Sequence, residues 1–234
     1  VNGAPQRLLG WDGRDLVGRK LALLVPQASE LGRESAGGGS AMPEGEIHGL
    51  RRDGIAFPLG MALSEVREQN AIRRIALMRD LSRERRAERA MSGFIAGTSK
   101  ATGIALLHAA TASLAQALGA RHVLVAETTD TPGTVRIVSL WSGGTHQAGR
   151  CYDTAGEPCA EVLGQRLRCF PSGLREQYPR SRLAAEFQAE AYVGHPLQAA
   201  DGRVLGLVAL YAGAPLEQPE LAASLLSLAA SRIS

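Results

Sequence analysis

Aromatic residues are scarce in this chain: Phe, Trp and Tyr make up 4% of its 234 residues. Its cores must therefore rest on Leu, Ala, Val and Ile, within a hydrophobic share of 45% that is ordinary for a globular protein. Long apolar runs are missing too. The longest, Val204 to Ala212, is strand-sized and holds Gly206, whereas a spanning helix needs about 20 apolar residues. No membrane span and no signal peptide are expected. Neither sign of charge dominates: the formal net charge is +3, which does not argue for nucleic acid or an anionic membrane as the main partner, and no direct nucleic-acid binding is expected. There are three cysteines, an odd number, and no Cys-x-x-Cys pair. That favours free thiols in a reducing, cytoplasmic compartment. The steps of eight and ten residues between Cys151, Cys159 and Cys169 match no compact zinc pattern, so no metal site is expected. A phosphate-cradling Gly-x-x-x-x-Gly-Lys loop, a Gly-x-Ser-x-Gly elbow and a Gly-Gly-Asp-Glu-Phe signature are all absent. No catalytic residue and no cofactor follow from motifs.

What is present reads as two antiparallel α+β units joined by a helix. Residues 29–45 are rich in Ser, Gly and Pro and include Gly37-Gly38-Gly39-Ser40, which predicts a mobile loop. Glu46 to Arg52 and Ala56 to Val66 read as strands around an Asp53-Gly54 hairpin turn, since glycine accepts positive φ. A third strand is expected from Ile72 to Met78. A charged helix follows from Leu81 to Ala90, capped by Asp80 or Ser82 and interrupted by Gly93 and Gly97. Ile104, Leu107, Thr111, Leu114 and Leu118 then form one apolar helical stripe, stopped by Gly119. Strands are expected at Val123 to Thr128, Thr134 to Trp141, Ala191 to Leu197 and Arg203 to Tyr211. Between them lie short helical pieces at Pro158 to Leu163 and Ser181 to Gln188. A last helix runs from Pro219 to Ile233 with Leu221, Leu225 and Leu228 on one side. The chain starts at Val1 rather than Met, and both ends read as cuts in a longer protein.

Two resemblances give these units names. Asn2 to Pro26, with its Leu-x-Gly-aromatic turn and Leu-Val-Gly-Arg, resembles the helical middle of a PAS domain. Gly49 to Val66 resembles the PAS hairpin, and Met78 to Glu88 the exit into a signalling helix. The strands that normally precede that Asn are absent. Thr98 to Glu127 resembles the opening helix and strand of a bacterial GAF domain. Tyr152 to Gly164 is similar to the Tyr-Asp-x-Ala-Gly-x-Pro-Cys pattern of one GAF subgroup, as is Cys169 to Pro179, and Ala189 to Tyr211 to its closing strand pair. The resemblance implies an N-terminally incomplete PAS domain at 1–80, a signalling helix at 81–96 and a GAF domain at 97–234. It implies the input module of a bacterial sensor histidine kinase, diguanylate cyclase or transcription activator. Such a module is non-enzymatic itself, acts as a homodimer, and relays a small ligand or redox cue to a C-terminal effector domain.

The candidate residues follow from chemistry. Cys159 stands just after Pro158 at a helix start, where the positive end of the dipole lowers a thiol pKa. Trp141, Tyr152, Tyr178, Tyr192 and His195 complete the set expected to line a small-molecule pocket, since such pockets are mostly apolar with a few placed polar groups. The plainer reading of each is core or rim packing. Cys159 and Cys169 leave open a thiol enzyme resembling free methionine-sulfoxide reductase, and a ligand-free dimerisation scaffold is a third reading. Several known ligands of these families are disfavoured by the residues. Lys20 and Leu21 replace the Asn-Cys of flavin photosensors, no cysteine neighbours a histidine as in bilin attachment, and neither Asn2 nor Asn70 precedes a lysine as in cyclic-nucleotide binding. His48 is the one histidine of the first unit and His108 has no phospho-acceptor context. The arginines from Arg79 to Arg89 alternate with Asp80, Glu84 and Glu88 and read as a solvated helix face.

Overall fold

Local sequence rules shape each element of the computed structural model, which describes residues 4–28, 47–68, 71–164 and 166–234. The expected loop at 29–45 lies outside the described residues. The chain divides into two compact units, residues 1–86 and 87–234.

The first unit opens with two short helices, α1 (Ala4–Leu9) and α2 (Gly13–Leu16), and a 3-10 turn at Leu21–Leu23. Asp12 caps α2 by accepting from the Arg14 N–H. Three antiparallel strands follow in the order β1 (His48–Leu50), β2 (Ala56–Glu68) and β3 (Ala71–Asp80). The turn at Asp53-Gly54 forms as expected, with Gly54 at φ +82°. Alternation along β2 puts Phe57, Leu59 and Met61 against Leu9, Leu24, Val25 and Ile47. The Phe57 ring lies over Gly49, where a Cβ would sit 2.5 Å from Phe57 Cζ. Arg51 ties the layers together. It donates to the Leu8 carbonyl at 2.5 Å, pairs with Asp80 at 2.6 Å, and stands 4.5 Å from the Phe57 ring centre. Burial pushes the Asp80 carboxyl up, but hydrogen bonds from Ser82 and the Arg51 charge outweigh this and hold it below the usual carboxylate range.

The helix α3 (Ser82–Thr98) starts where Asp80 accepts from the Ser82 N–H at 2.8 Å. Gly93 and Gly97 do not interrupt it, contrary to the sequence expectation. Each glycine costs a helix about 1 kcal/mol, and packing offsets the cost. Ala90, Phe94 and Thr98 bury one face of α3 at steps of four. At Gly97 a Cβ would lie 2.5 Å from Ser113 Oγ, so any larger residue would make that hydroxyl turn away.

Ser113 belongs to α4 (Gly103–Leu118), the expected stripe helix, which Gly119 ends at φ 63°. The second unit then builds a seven-stranded antiparallel sheet. Its strands are β4 (His122–Thr128), β5 (Thr134–Ser142), β6 (Thr145–Gln147), β7 (Cys151–Asp153), β8 (Arg168–Phe170), β9 (Ala191–Gln198) and β10 (Val204–Ala212). They run in the order β6-β5-β4-β10-β9-β8, with β7 also on β5. Three short helices, α5 (Cys159–Leu163), α6 (Leu174–Gln177) and α7 (Arg182–Glu186), precede β9, and α8 (Pro219–Ile233) closes the chain. Helices α3, α4 and α8 cover one face through Phe94, Leu114, Leu225 and Leu226 against Val123, Val125, Val193, Val208 and Leu210. Helices α5, α6 and α7 cover the other through Val162, Leu174 and Leu183 against Leu124, Ala126, Leu207 and Ala209. A bulge in β5 makes Val138 the extra residue, since Ile137 pairs with Ala126 while Ser139 pairs with Val125. It turns Ser139 toward α4, where its hydroxyl meets Thr111 Oγ1 at 3.0 Å.

Candidate functional site

The site is built on the α5–α7 face of the second sheet. β9 and β10 pair so that Tyr192 stands opposite Tyr211, and both side chains point to this face. Their rings meet edge to face with centroids 4.9 Å apart. Gly194, two residues on from Tyr192, lets that ring lie back over the strand. A Cβ there would stand 2.2 Å from Tyr192 Oη and 2.7 Å from Val162 Cγ2. Above this pair α5 places Cys159, fully buried. Its Sγ accepts from Tyr192 Oη at 3.4 Å and lies 3.2 Å from Tyr211 Oη. Tyr152, on β7, adds a third hydroxyl. That hydroxyl is buried beside the Cys159 thiol and, with sulfur a weak acceptor, makes no hydrogen bond of good geometry among the described residues. The aromatic contacts continue outward from Tyr192 to Phe170 and Tyr178, and from Tyr211 to Phe187 and His122.

The electrostatics follow from burial. Burial pushes the Cys159 thiol up, more than its tyrosine hydrogen bonds pull it down. The sequence expectation of a thiol made acidic by the helix end is therefore corrected: five residues of helix supply little dipole against complete loss of water. The Tyr152, Tyr192 and Tyr211 phenols are likewise pushed well up by burial, with the thiol adding to the effect. These groups are neutral donors at physiological pH. At the rim, burial and a hydrogen bond to Glu161 push Tyr178 up to about 12, and Arg168 pairs with Glu161 at 2.8 Å.

The loop entering α5 is pinned by Glu157, which is almost fully buried. Its carboxylate accepts from the Ser181 hydroxyl and from the Arg182 and Leu183 N–H groups, the last two at 2.7 and 3.2 Å. Ser181 itself accepts from the Ala184 N–H at 2.9 Å. One carboxylate thus caps α7 and holds α5 over the sheet.

Of the six residues singled out in the sequence, the structure brings Tyr152, Cys159, Tyr178 and Tyr192 together on this face. Trp141 and His195 lie on the other face. Trp141 packs against the α4 and α8 core and meets His146 edge on at 5.0 Å. His195 falls in step with Val193 and Leu197 on β9, on the same face, and its Nδ1 donates to the Pro196 carbonyl at 2.8 Å. Sequence reasoning missed Tyr211, Phe187 and Glu157. Tyr211 was within reach, because folding the β9–β10 hairpin about Ala200-Asp201-Gly202 sets it opposite Tyr192. The role of Glu157 had no such signal, since its partners lie 24 to 26 residues away. Cys169 packs against the α4 and α8 core, on the opposite face of the sheet from Cys159. The two sulfurs cannot approach the ~2 Å of a disulfide without moving a strand. Among the described residues, no cluster of three or more His, Cys, Asp or Glu side chains is placed to hold a metal ion, and no helix is long and apolar enough to cross a membrane.

Comparison with known proteins adds the family. No curated protein matches the chain. Similar solved structures include the chromophore-binding domain of a bacteriophytochrome from R. palustris, 14% identical, covering 98% of this chain and 86% of that one, with TM-score 0.45. The chromophore-binding domain of Stigmatella aurantiaca phytochrome P1 is also 14% identical, covers 98% of this chain and 88% of that one, and has TM-score 0.49. A GAF domain from an Acinetobacter phosphoenolpyruvate-protein phosphotransferase is 11% identical, covers 64% of this chain and 89% of that one, and has TM-score 0.46. The GAF domain model matches residues 103–234, more than half of the sequence, so the chain belongs to the GAF domain family.

Proposed function

We propose that this chain is the input module of a bacterial signal-transduction protein, and that its GAF half senses a small molecule on the α5–α7 face. GAF domains are typical signal-sensing modules. The observation that carries the reading is the buried Tyr152 hydroxyl without a hydrogen bond of good geometry, beside a thiol and two more phenols. A buried donor left unpaired costs about 1–3 kcal/mol, and a ligand oxygen or nitrogen acceptor would remove that cost. Sulfur is a weak acceptor, so the Tyr192 and Tyr211 hydroxyls also gain by turning to such a ligand. Tyr152, Cys159, Tyr178 and Tyr192 are the contact residues of this reading; Trp141 and His195, on the other face, are not part of it.

Within the same reading residues 1–80 form a PAS-like sheet without its first strands, 81–96 a signalling helix and 97–234 the sensing domain. The module works as a cytoplasmic homodimer without enzymatic activity and passes its state through its helices to a C-terminal effector. The host is a sensor kinase, a nucleotide cyclase or a transcription activator. The rival thiol-enzyme reading loses support from the placement of Cys159 and Cys169 on opposite faces.

Native mass spectrometry of the chain purified from cells, with and without reductant, tests this. The expected result is a small molecule retained by the wild type and lost or weakened in Tyr152→Phe. A bare wild type that loses two protons on mild oxidation would move the reading to the cysteines. A bare, redox-silent dimer would leave the scaffold.

A further inference from the structure

The edge hairpin of the GAF sheet carries a pair of histidines that the α5–α7 site does not use. β6 is three residues long, exposed at every residue, and pairs with β5 alone among the described residues. A two-residue turn joins the strands, with Gly143 at φ +60° and Gly144 at φ +99°. Trp141 stands opposite His146 in the pairing, and cross-strand partners share a face. Trp141 packs toward the α4 and α8 core, so His146 points to α4 as well. There its ring stacks on that of His108, with centroids 4.3 Å apart and planes 24° from parallel, and it meets Trp141 edge on at 5.0 Å. So short a strand has few side-chain contacts to hold it, and these two ring contacts are its tie to the layer beneath.

Among the described residues no carboxylate is placed to share a proton with this pair. His108 is the one titratable residue of α4, and His146 the one of β6. β5 carries only Arg136, toward its other end and paired with Glu127. α3 has no charge from Ala90 to Thr98. On α8, Arg232 donates to the Thr98 carbonyl at 2.8 Å, and Glu220 acts on Cys169 of β8, at the opposite edge of the sheet from β6. Lys100 ahead of α4 and Arg121, whose carbonyl accepts from the Gly143 N–H of the hairpin turn, are both positive. Partial burial and the charge of His108 hold His146 below its ordinary value, and a hydrogen bond with the Leu140 carbonyl does not outweigh them. The contact is therefore whole above about pH 6.5 and weakens as the pH falls toward the lowered value. One proton leaves a cation over a neutral ring, which still attracts. Two protons set like charges on stacked rings. We propose that the His108–His146 stack is an acid-sensitive latch: uncharged, it holds β6 on the sheet edge and against α4, and with both rings protonated it lets β6 fray. The layer beneath stays closed, because Thr111 keeps its bond to Ser139 and Leu114 stays buried. The latch works without any ligand on the α5–α7 face.

Hydrogen exchange of the full chain, corrected for the intrinsic pH dependence of amide exchange, tests the latch. Protection of the Thr145–Gln147 segment is expected to fall at least about tenfold from about pH 8 to about pH 5, while the buried β4 amides from Val123 to Val125 stay protected. His146→Phe keeps a ring on His108 and takes away the second proton, so its protection is expected to vary by less than about threefold over that range. His108→Phe is expected to do the same, which keeps the test valid if one variant folds poorly. Trp11→Phe leaves Trp141 as the sole indole. Its emission is expected to move to the red in acid in that variant, and to stay in place when His146→Phe is added. Protection of β6 that is unchanged across the range, or that falls as far in both phenylalanine variants as in the wild type, would overturn the latch. A fall shared equally by β4 would place the acid sensitivity in the whole domain and overturn it as well.

Discussion

The two sheets of this chain follow the same strand rules and end in opposite conditions. The GAF sheet has helices on both faces, and its central strands are buried through their middles: β10 shows a run of six buried residues from Gly206 to Tyr211. The β1–β3 sheet has one covered face, and its last strand is exposed along most of its length. Alternation of side chains is the same in both. What differs is how many layers are stacked on it. A sheet covered twice stores its stability in packing, whereas β3 leaves apolar side chains such as Ile75 and Leu77 exposed.

The comparison is broken most severely by cutting one large side chain from each sheet. Tyr211→Ala is expected to cost about 3–5 kcal/mol, because it empties the centre of a closed aromatic cluster. Leu77→Ala is expected to stay within about 0.5 kcal/mol under conditions where the chain is monomeric. Urea denaturation of both variants reads the difference, and a similar loss in each would mean the first sheet is covered after all. Gly194→Ala comes next, at about 1–3 kcal/mol of overpacking against Tyr192 and Val162. Replacing Glu157 by Ala is expected to cost about 1–3 kcal/mol, since the Ser181 hydroxyl and two N–H groups lose their buried acceptor. Faster hydrogen exchange at Arg182 and Leu183 would report the loosened cap.

The smallest effect is a pH slope. Burial, with help from Arg121, holds His122 below its ordinary value. The unfolded imidazole therefore takes up a proton before the folded one does. Stability from this group is complete above about pH 6.5 and falls as the pH drops toward the lowered value. His146 is shifted the same way by burial and by His108, with which it stacks at 4.3 Å. A thermal melt series from pH 8 to 5 is expected to show a falling midpoint, with a shallower fall in His122→Gln. An unchanged slope would place the loss elsewhere.

The second unit was legible where the signal is periodic. The stripe from Ile104 to Leu118 with Gly119 behind it became α4, and Pro219 to Ile233 became α8 with the expected bounds. The short strands β6, β7 and β8, three residues each, had no period long enough to register. At α3 local propensity pointed to an interruption at Gly93 and Gly97, and packing of Phe94 decided otherwise. Four of the six candidate residues meet on one face. Trp141 and His195 went astray because residue type suggests a ligand contact while strand parity, shifted in β5 by the bulge at Val138, decides the face.

Composition, periodicity and turn residues by themselves determined the strand and helix repertoire, the absence of a long apolar span, and the second unit's GAF resemblance. These depend on neighbours in sequence. Only the tertiary structure decided that Cys159 is shut in by three phenols, that Cys169 lies across the sheet from it, that Glu157 caps a helix 25 residues away, and that β3 exposes Ile75 and Leu77. Each of these depends on which distant segments exclude water from a group, and burial of that kind is set by the packing of layers rather than by any local pattern.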